Sequence, residues 1–241
     1  MISGIYIRLM RMGFFKSKYA ELHFTSKLVK KGDVVLDIGA NLAYYSYFLK
    51  RHIGESGKLL AIEPIPLFAE VWSRNMKGAK GVELFNCALG GEAKQKVKMS
   101  IPIVNGVVRH GLTKVVEEGT EENEAILSFE VPMKVGDELV SEQNLEKLNF
   151  IKCDVEGFEQ YVIPSLDKTI DTHFPLLQIE LSGKENRQRV VDFLLKKAYQ
   201  LFILKNEFLT PIQKNDIFTV DQDFYFIHET KLEEKSALIR K

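Results

Sequence analysis

Residues 34–50 read VVLDIGANLAYYSYFLK, and the fold turns on how that stretch divides. Val34, Val35 and Leu36 form an apolar run that ends in Asp37 and turns through Gly39-Ala40-Asn41. Beyond the turn, Tyr44, Tyr47, Phe48 and Arg51 fall at i, i+3, i+4 and i+7, the period of a helix. A strand, a tight turn of small residues and a helix place a nucleotide-like ligand on the turn. Position 43 is Ala, where a third loop glycine is expected.

Working outward, strand-length apolar runs alternate with helical periodicity. KLLAIEP (58–64) precedes a helix carrying Phe68, Val71 and Trp72, and GVELFNCAL (81–89) reads as a third strand. NFIKCDVEG (149–157) is a fourth, with a helix from about Phe158, and PLLQIEL (175–181) a fifth, followed by a helix over 185–198. Alternation of this kind predicts a doubly wound parallel sheet in an α/β fold. Two segments break the pattern. KQKVKMSIP and SFEVPMKV enclose a loop at 104–125, which predicts an inserted hairpin over about 97–132. YQLFILKN and DFYFIHE predict an antiparallel pair that closes the sheet edge. The domain is therefore expected to cover 28–230, with an N-terminal helical segment (1–27) packed on it and a charged tail (231–241).

The bulk properties narrow the function. The chain has 241 residues, enough for one sizeable core, with 45% hydrophobic and 27% charged residues. Lys+Arg and Asp+Glu balance at 33 each, so no overall field draws nucleic acid or an anionic membrane. The two cysteines, Cys87 and Cys153, sit in apolar runs and imply no disulfide framework, and a cytoplasmic location is the expectation. The first fifteen residues are broken by Arg8 and Arg11, which argues against a cleaved signal peptide, and no apolar stretch has membrane-spanning length. Oligomeric state is not readable from these properties.

Ligands of an open parallel sheet bind at the carboxyl ends of its strands. The first three ends carry Asp37 to Asn41, then Glu63-Pro64, then Asn86-Cys87-Ala88. Glu63 suits the two hydroxyls of a ribose and Asn86 an adenine edge, so the three ends outline an adenosine-containing ligand. The turn reads D-x-G-A-N-x-A rather than the G-x-G-x-x-G a pyrophosphate requires. An acid at its head repels phosphate and suits an ammonium and a sulfonium, so S-adenosylmethionine fits and a nicotinamide dinucleotide fits poorly. Taken singly, Asp37 reads equally well as a helix cap, Glu63 as a solvated strand end and Asn86 as a turn residue. Their order along three strand ends favours the ligand.

The segments DIGAN, AIEP, NCALG, IKCDVEGFE and LLQIEL resemble the FkbM family of S-adenosylmethionine-dependent methyltransferases, from about Leu28 to the end of the C-terminal pair of strands. The most diagnostic piece, residues 151–159, is similar to that family's K-x-D-x-E-G-x-E signature. The resemblance implies a seven-stranded class I methyltransferase (Rossmann-like) sheet of order 3-2-1-4-5-7-6 with strand seven antiparallel. It also implies O-methylation of a sugar, glycan or natural-product hydroxyl. Carried over, Asp37, Gly39, Asn41 and Ala43 form the first cofactor loop, Glu63 and Pro64 the ribose clamp, and Asn86 and Ala88 the adenine side. Asp154 and Glu156 face the methyl group and the acceptor. Two departures stand out: Ala43 in place of the family's usual glycine, expected to narrow the loop by a methyl group, and Val135-Gly136-Asp137-Glu138 in place of T-L-D-x-L.

A hydroxyl acceptor calls for a base, and Asp154 and Glu156, neighbouring carboxylates on one strand-end turn, are the leading candidates. His110, in the inserted loop, is the alternative, with Arg109 beside it on the substrate side. Lys152 alternates with Asp154 and is expected to point the same way; with Glu180 it completes the substrate-side set. Asp154, Glu156 and Glu180 offer oxygen ligands for a divalent metal, yet no His/Asp pattern demands one, and the balance falls against a metal requirement. A methyltransferase-fold scaffold without activity is the rival reading, with Ala43 as its support; a nicotinamide-dependent oxidoreductase is weaker still.

Overall fold

A computed structural model describes residues 20–104, 107–108, 114–115 and 126–240, with side chains for 20–101 and 128–240. Arg109 and His110 lie outside the described residues. Helix α1 (Ala20–Leu28) leads into β1 (Val34–Ile38), α2 (Tyr44–Ile53), β2 (Lys58–Ile62), α3 (Pro66–Asn75) and β3 (Val82–Phe85). Next come the short β4 (Ala88–Gly90) and the long β5 (Lys94–Val104), with β6 (Val107–Val108), β7 (Lys114–Val115), β8 (Ile126–Val135) and α4 (Gly136–Ser141). The second half holds β9 (Phe150–Cys153), α5 (Glu159–Val162), α6 (Asp167–His173), β10 (Leu176–Ile179) and α7 (Lys184–Lys196). Strands β11 (Tyr199–Lys205), β12 (Phe208–Pro211) and β13 (Phe224–His228) finish it.

The main sheet runs β3-β2-β1-β9-β10-β13-β11-β12. Its first seven positions are the expected order 3-2-1-4-5-7-6, and β13 is antiparallel to β10 as expected. The eighth strand, β12, is an addition: it follows β11 through a tight turn at Asn206 and Glu207, both at positive φ, and takes the outer edge. A second sheet pairs β5 antiparallel with β8 and β8 parallel with β4. The expected third strand over 81–89 is therefore two strands in two sheets. Asn86 marks the break, its side-chain amide donating back to the carbonyls of Glu63 (2.7 Å) and Pro64 (3.0 Å). The helix expected from Phe158 is also short, ending at Val162, where Pro164 opens a 3-10 turn before α6.

Strand alternation sends side chains to two cores. Leu36, Ile38, Ile151, Cys153, Leu177 and Ile179 pack against α5 to α7. Val35, Leu59, Phe150 and Leu176 pack against α1, α2 and α3 through Phe24, Leu49 and Trp72. Burying side chains of this kind contributes roughly 1.5–3 kcal/mol each. The same alternation carries a polar row onto the α1–α2 face. Asp37, Lys152 and Gln178 stand opposite one another on β1, β9 and β10, and each is almost completely buried. Among the described residues no helix is long and apolar enough to cross a membrane.

Candidate active site

Past the carboxyl ends of β1, β2 and β9 lie two adjoining cavities of about 240 and 90 Å³. They share Gly39, Pro64, Met99, Val155 and Glu156 and so form one groove. The larger lobe is mostly apolar, with Ile62, Ala88 and Phe158 in its wall. The smaller is lined by Asn41, Glu63 and Asp154. Met99 reaches the groove from β5, so the second sheet forms part of its wall.

Gly39 adopts φ 80°, and a Cβ there would lie 1.8 Å from the carbonyl oxygen of Asp154. The turn after β1 thus rests directly on the backbone that follows β9. Glu63, 3% exposed, fixes the same turn from the other side. One of its oxygens accepts from the Asn41 N–H (2.7 Å) and the other from the Ile65 N–H (2.8 Å). Each oxygen keeps a second lone pair. Burial raises the Glu63 carboxyl to about 7 against the pull of those two backbone bonds, with Asp37 and Asp154 adding to the rise.

Three more carboxyls gather past β9 and β10. Glu156 holds φ 55°, a left-handed conformation that costs a non-glycine residue roughly 1–2 kcal/mol, and lines both lobes. Burial, then the charges of Asp154 and Glu159, raise it to about 7. Glu180 follows β10 beside Asp154, and burial, then the charge of Asp154, raise its carboxyl to about 8. Beneath them Lys152, 1% exposed, lies 3.7 Å from Asp154 and 3.1 Å from Asp223. Asp223 and Asp154, with Tyr45 and Glu180 behind them, offset the burial that opposes its charge, and its ammonium is held above the usual lysine range.

The family model for the methyltransferase FkbM domain matches residues 37–201, which contain the groove and these carboxyls. The chain belongs to the FkbM methyltransferase family. Two curated fungal relatives agree. Methyltransferase 1 of Beauveria bassiana is 28% identical over 200 residues, covering 73% of this chain and 76% of its own. Methyltransferase sdnD of Sordaria araneosa is 27% identical over 157 residues, covering 56% of this chain and 60% of its own. A crystal structure of an FkbM methyltransferase from Methylobacillus flagellatus matches 88% of this chain at a TM-score of 0.52 and 15% identity. The match spans 46% of that solved chain, and it shows the shared class I methyltransferase fold.

Within this FkbM chain the candidate residues separate. Gly39, Asn41, Glu63, Pro64, Ala88, Asp154 and Glu156 all line the groove. Asp37 does not: it is 1% exposed and accepts from the Ser46 hydroxyl at 2.5 Å, which in turn accepts from the Trp72 indole N–H at 2.7 Å. Its work is to tie β1 to α2 and α3. Asn86 is exposed and lines neither lobe, and its amide N–H groups are committed to the turn after β2. Lys152 is sealed in the polar row between β9 and α2, its ammonium 4.9 Å from the Tyr45 ring centre, and lines neither lobe. Glu180, more exposed, stands with Asp154.

Ala43 also departs from expectation. It takes φ 75° and ψ 22°, the left-handed form a glycine adopts freely, but its methyl is fully buried in the core on the α1–α3 face and lines neither lobe. The loop is not narrowed. Ala43→Gly is expected to relieve about 1 kcal/mol of backbone strain while losing a buried methyl of similar worth. A urea melt should therefore place it within about 1 kcal/mol of the parent, with unchanged affinity for S-adenosylhomocysteine.

One residue without an assigned role is Glu159. Buried, it accepts from the N–H groups of Val155 (2.9 Å) and Gly157 (3.3 Å) and from the Asn186 amide (2.5 Å), strapping the loop that carries Glu156. Its place in the signature marked it as notable; its partners needed the fold. Among the described residues there is no group of three or more His, Cys, Asp or Glu arranged to hold a metal.

The raised carboxyls set the sign of the pH dependence. Asp37 (about 6) and Glu63 (about 7) bind protons more tightly folded than unfolded, so folding stability falls as pH rises from about 4.5 to about 7.5. Glu156 and Glu180 add less, being partly screened by solvent. Thermal melts at constant ionic strength should show a higher Tm near pH 5 than near pH 8, a difference on the order of 2 kcal/mol. A Tm that climbs to a plateau at neutrality would contradict the burial of these two groups.

Proposed function

We propose that this FkbM methyltransferase uses S-adenosylmethionine and methylates a hydroxyl of a carbohydrate, glycan or natural-product acceptor. The observation that carries the reading is the gathering of Asp154, Glu156 and Glu180 beside a groove that Glu63 and Gly39 shape. S-adenosylmethionine, when bound, supplies a methyl group on an electrophilic sulfonium. The groove suits such a cation: its floor carries carboxyls, and the lysine that faces them is already paired with Asp223. The same floor opposes a pyrophosphate, so the nicotinamide reading loses support. Ala43, turned into the core, no longer supports an inactive scaffold.

In this reading Glu63 receives the ribose hydroxyls on its free lone pairs, as a charge-assisted acceptor. Pro64 and Ala88 flank the adenine in the apolar lobe, while Asn41 and Gly39 lie beside the methionine end. Asp154 or Glu156 takes the proton of the acceptor hydroxyl, and Glu180 orients the acceptor through Asp154. The unit that does this is residues 28–230, which includes an insertion at about 97–132 that brings Met99 to the groove, with the N-terminal helical segment packed on it and the tail 231–241 outside the chemistry; a cytoplasmic location belongs to the same proposal.

The test is transfer of label. The full chain, given methyl-labelled S-adenosylmethionine and a panel of sugars, oligosaccharides and hydroxylated polyketides, should form a labelled methyl ether and one S-adenosylhomocysteine per transfer. Label found only on amine, thiol or carboxyl acceptors would overturn the hydroxyl assignment.

A further inference from the structure

The larger lobe of the groove is walled by apolar side chains such as Ile62, Leu89 and Met99, and a single amide side chain stands among them, that of Gln160. Gln160 follows the Glu156 loop on α5, and its place is fixed from behind. Its backbone N–H donates to the Asn186 side-chain oxygen at 2.8 Å, and the Asn186 amide in turn holds Glu159. The Gln160 Oε1, in contrast, is buried and has no hydrogen-bond partner among the described residues. A carbonyl oxygen taken out of water and left unpaired is costly, and such a group in a folded chain marks a place for a donor. On the same wall Phe158 and Tyr161, one helical turn apart, set their rings 4.5 Å apart at an interplanar angle of 38°. Aromatic faces of this kind suit a flat ring. A few polar groups set in an apolar wall are what orients a bound ligand.

The occupant these features describe is flat, aromatic and carries a hydrogen-bond donor on its edge. Adenine meets all three conditions, because its 6-amino group is a donor beside ring nitrogens that only accept. We propose that Gln160 is a specificity residue for the cofactor: its Oε1 accepts a hydrogen bond from the 6-amino group of the adenine and so selects an adenosyl ligand over other purines. The proposal rests on the reading that places the adenine in this lobe. Oε1 is covered where it stands, and a turn of the terminal amide about χ3, a torsion with broad wells, brings it to the lobe. The backbone need not move for this, since Asn186 holds it. Glu63 and Gln160 then divide the recognition: the carboxyl takes the ribose hydroxyls and the amide reads the base.

The experiment pairs a change in the protein with a change in the ligand. The probes are S-adenosylhomocysteine and its 6-deamino analogue, in which hydrogen replaces the amino group. Both are titrated calorimetrically into the full parent chain and into Gln160→Met, which keeps the side-chain length and loses the carbonyl. The parent should bind the amino ligand about tenfold more tightly, the worth of one hydrogen bond between neutral groups. In Gln160→Met the two ligands should bind within about twofold of each other. The melting temperature of that variant without ligand should hold or rise, because it buries no unpaired oxygen. A merely structural role would lower that temperature and weaken both ligands alike, leaving the preference in place. A Gln160→Met chain that keeps the parent's preference therefore overturns the proposal, as does a parent that binds both ligands equally. Should Gln160→Met not fold, Gln160→Leu takes its place, and the comparison of the two ligands on the parent needs no variant. A parent that binds neither ligand sinks the proposed function itself, while binding of both without preference sinks only the role of Gln160.

Discussion

Gly39→Ala is expected to destabilise the chain by roughly 2–5 kcal/mol and to weaken S-adenosylhomocysteine binding at least tenfold. Two costs combine. A left-handed φ costs an L-residue about 1–2 kcal/mol, and forcing an atom into a filled space costs about 1–3 kcal/mol. The second term dominates here because the obstacle is the Asp154 backbone, 1.8 Å and 2.9 Å from the added carbon at its oxygen and carbonyl carbon, and no rotamer change can move it. The turn after β1 must lift, which drags the Asn41 N–H away from Glu63. Gly157→Ala is the control: φ is 95° there, but the new methyl meets only the Ser182 hydroxyl at 3.3 Å. Urea melts should show Gly39→Ala losing clearly more than Gly157→Ala. Equal losses would mean that the close approach does not shape the groove.

The second large effect is at Glu63. Its replacement by alanine removes the acceptor of two backbone N–H groups and of the proposed ribose hydroxyls. Affinity for S-adenosylhomocysteine should fall by about 1–3 kcal/mol. Glu63→Gln, which can accept through one atom only, should fall between the two. The raised carboxyl adds a signature. Hydroxyl donors favour the ionised form, so affinity in the parent should rise as pH passes upward through about 7, and this rise should vanish in Glu63→Gln. Titration calorimetry at three pH values reads both effects. Full affinity in Glu63→Ala would remove that residue from the site.

Much of this arrangement was legible in residues 34–50, because a period of two giving way to a period of 3.6 across Gly39 allows few structures besides strand, turn and helix. The alternation of Lys152 with Asp154 was legible for the same reason, and the two do meet at 3.7 Å. Burial was not. Whether a strand-end lysine faces solvent or a closed polar row depends on α1 and α2, which pack there from distant parts of the chain. The break at Asn86 was hidden because GVELFNCAL is apolar throughout, and only the bonds back to Glu63 and Pro64 divide it. Glu180 and Asp154 are 26 positions apart, and their pairing follows from the parallel register of β9 with β10, a property of the sheet. Ala43 misled for a related reason: the loop sequence names the residue, but only the helix that starts there decides which way its methyl points.

The groove across the ends of β1 and β2 is proposed to bind an adenosyl sulfonium cofactor. Titration calorimetry of the purified full chain with S-adenosylhomocysteine, with NAD as the comparison, tests it most directly. The expected result is saturable one-to-one binding of the first, abolished or strongly weakened by Gly39→Ala, and no heat of binding from the second. Binding of NAD in preference to S-adenosylhomocysteine, or of neither by a folded chain, would contradict it.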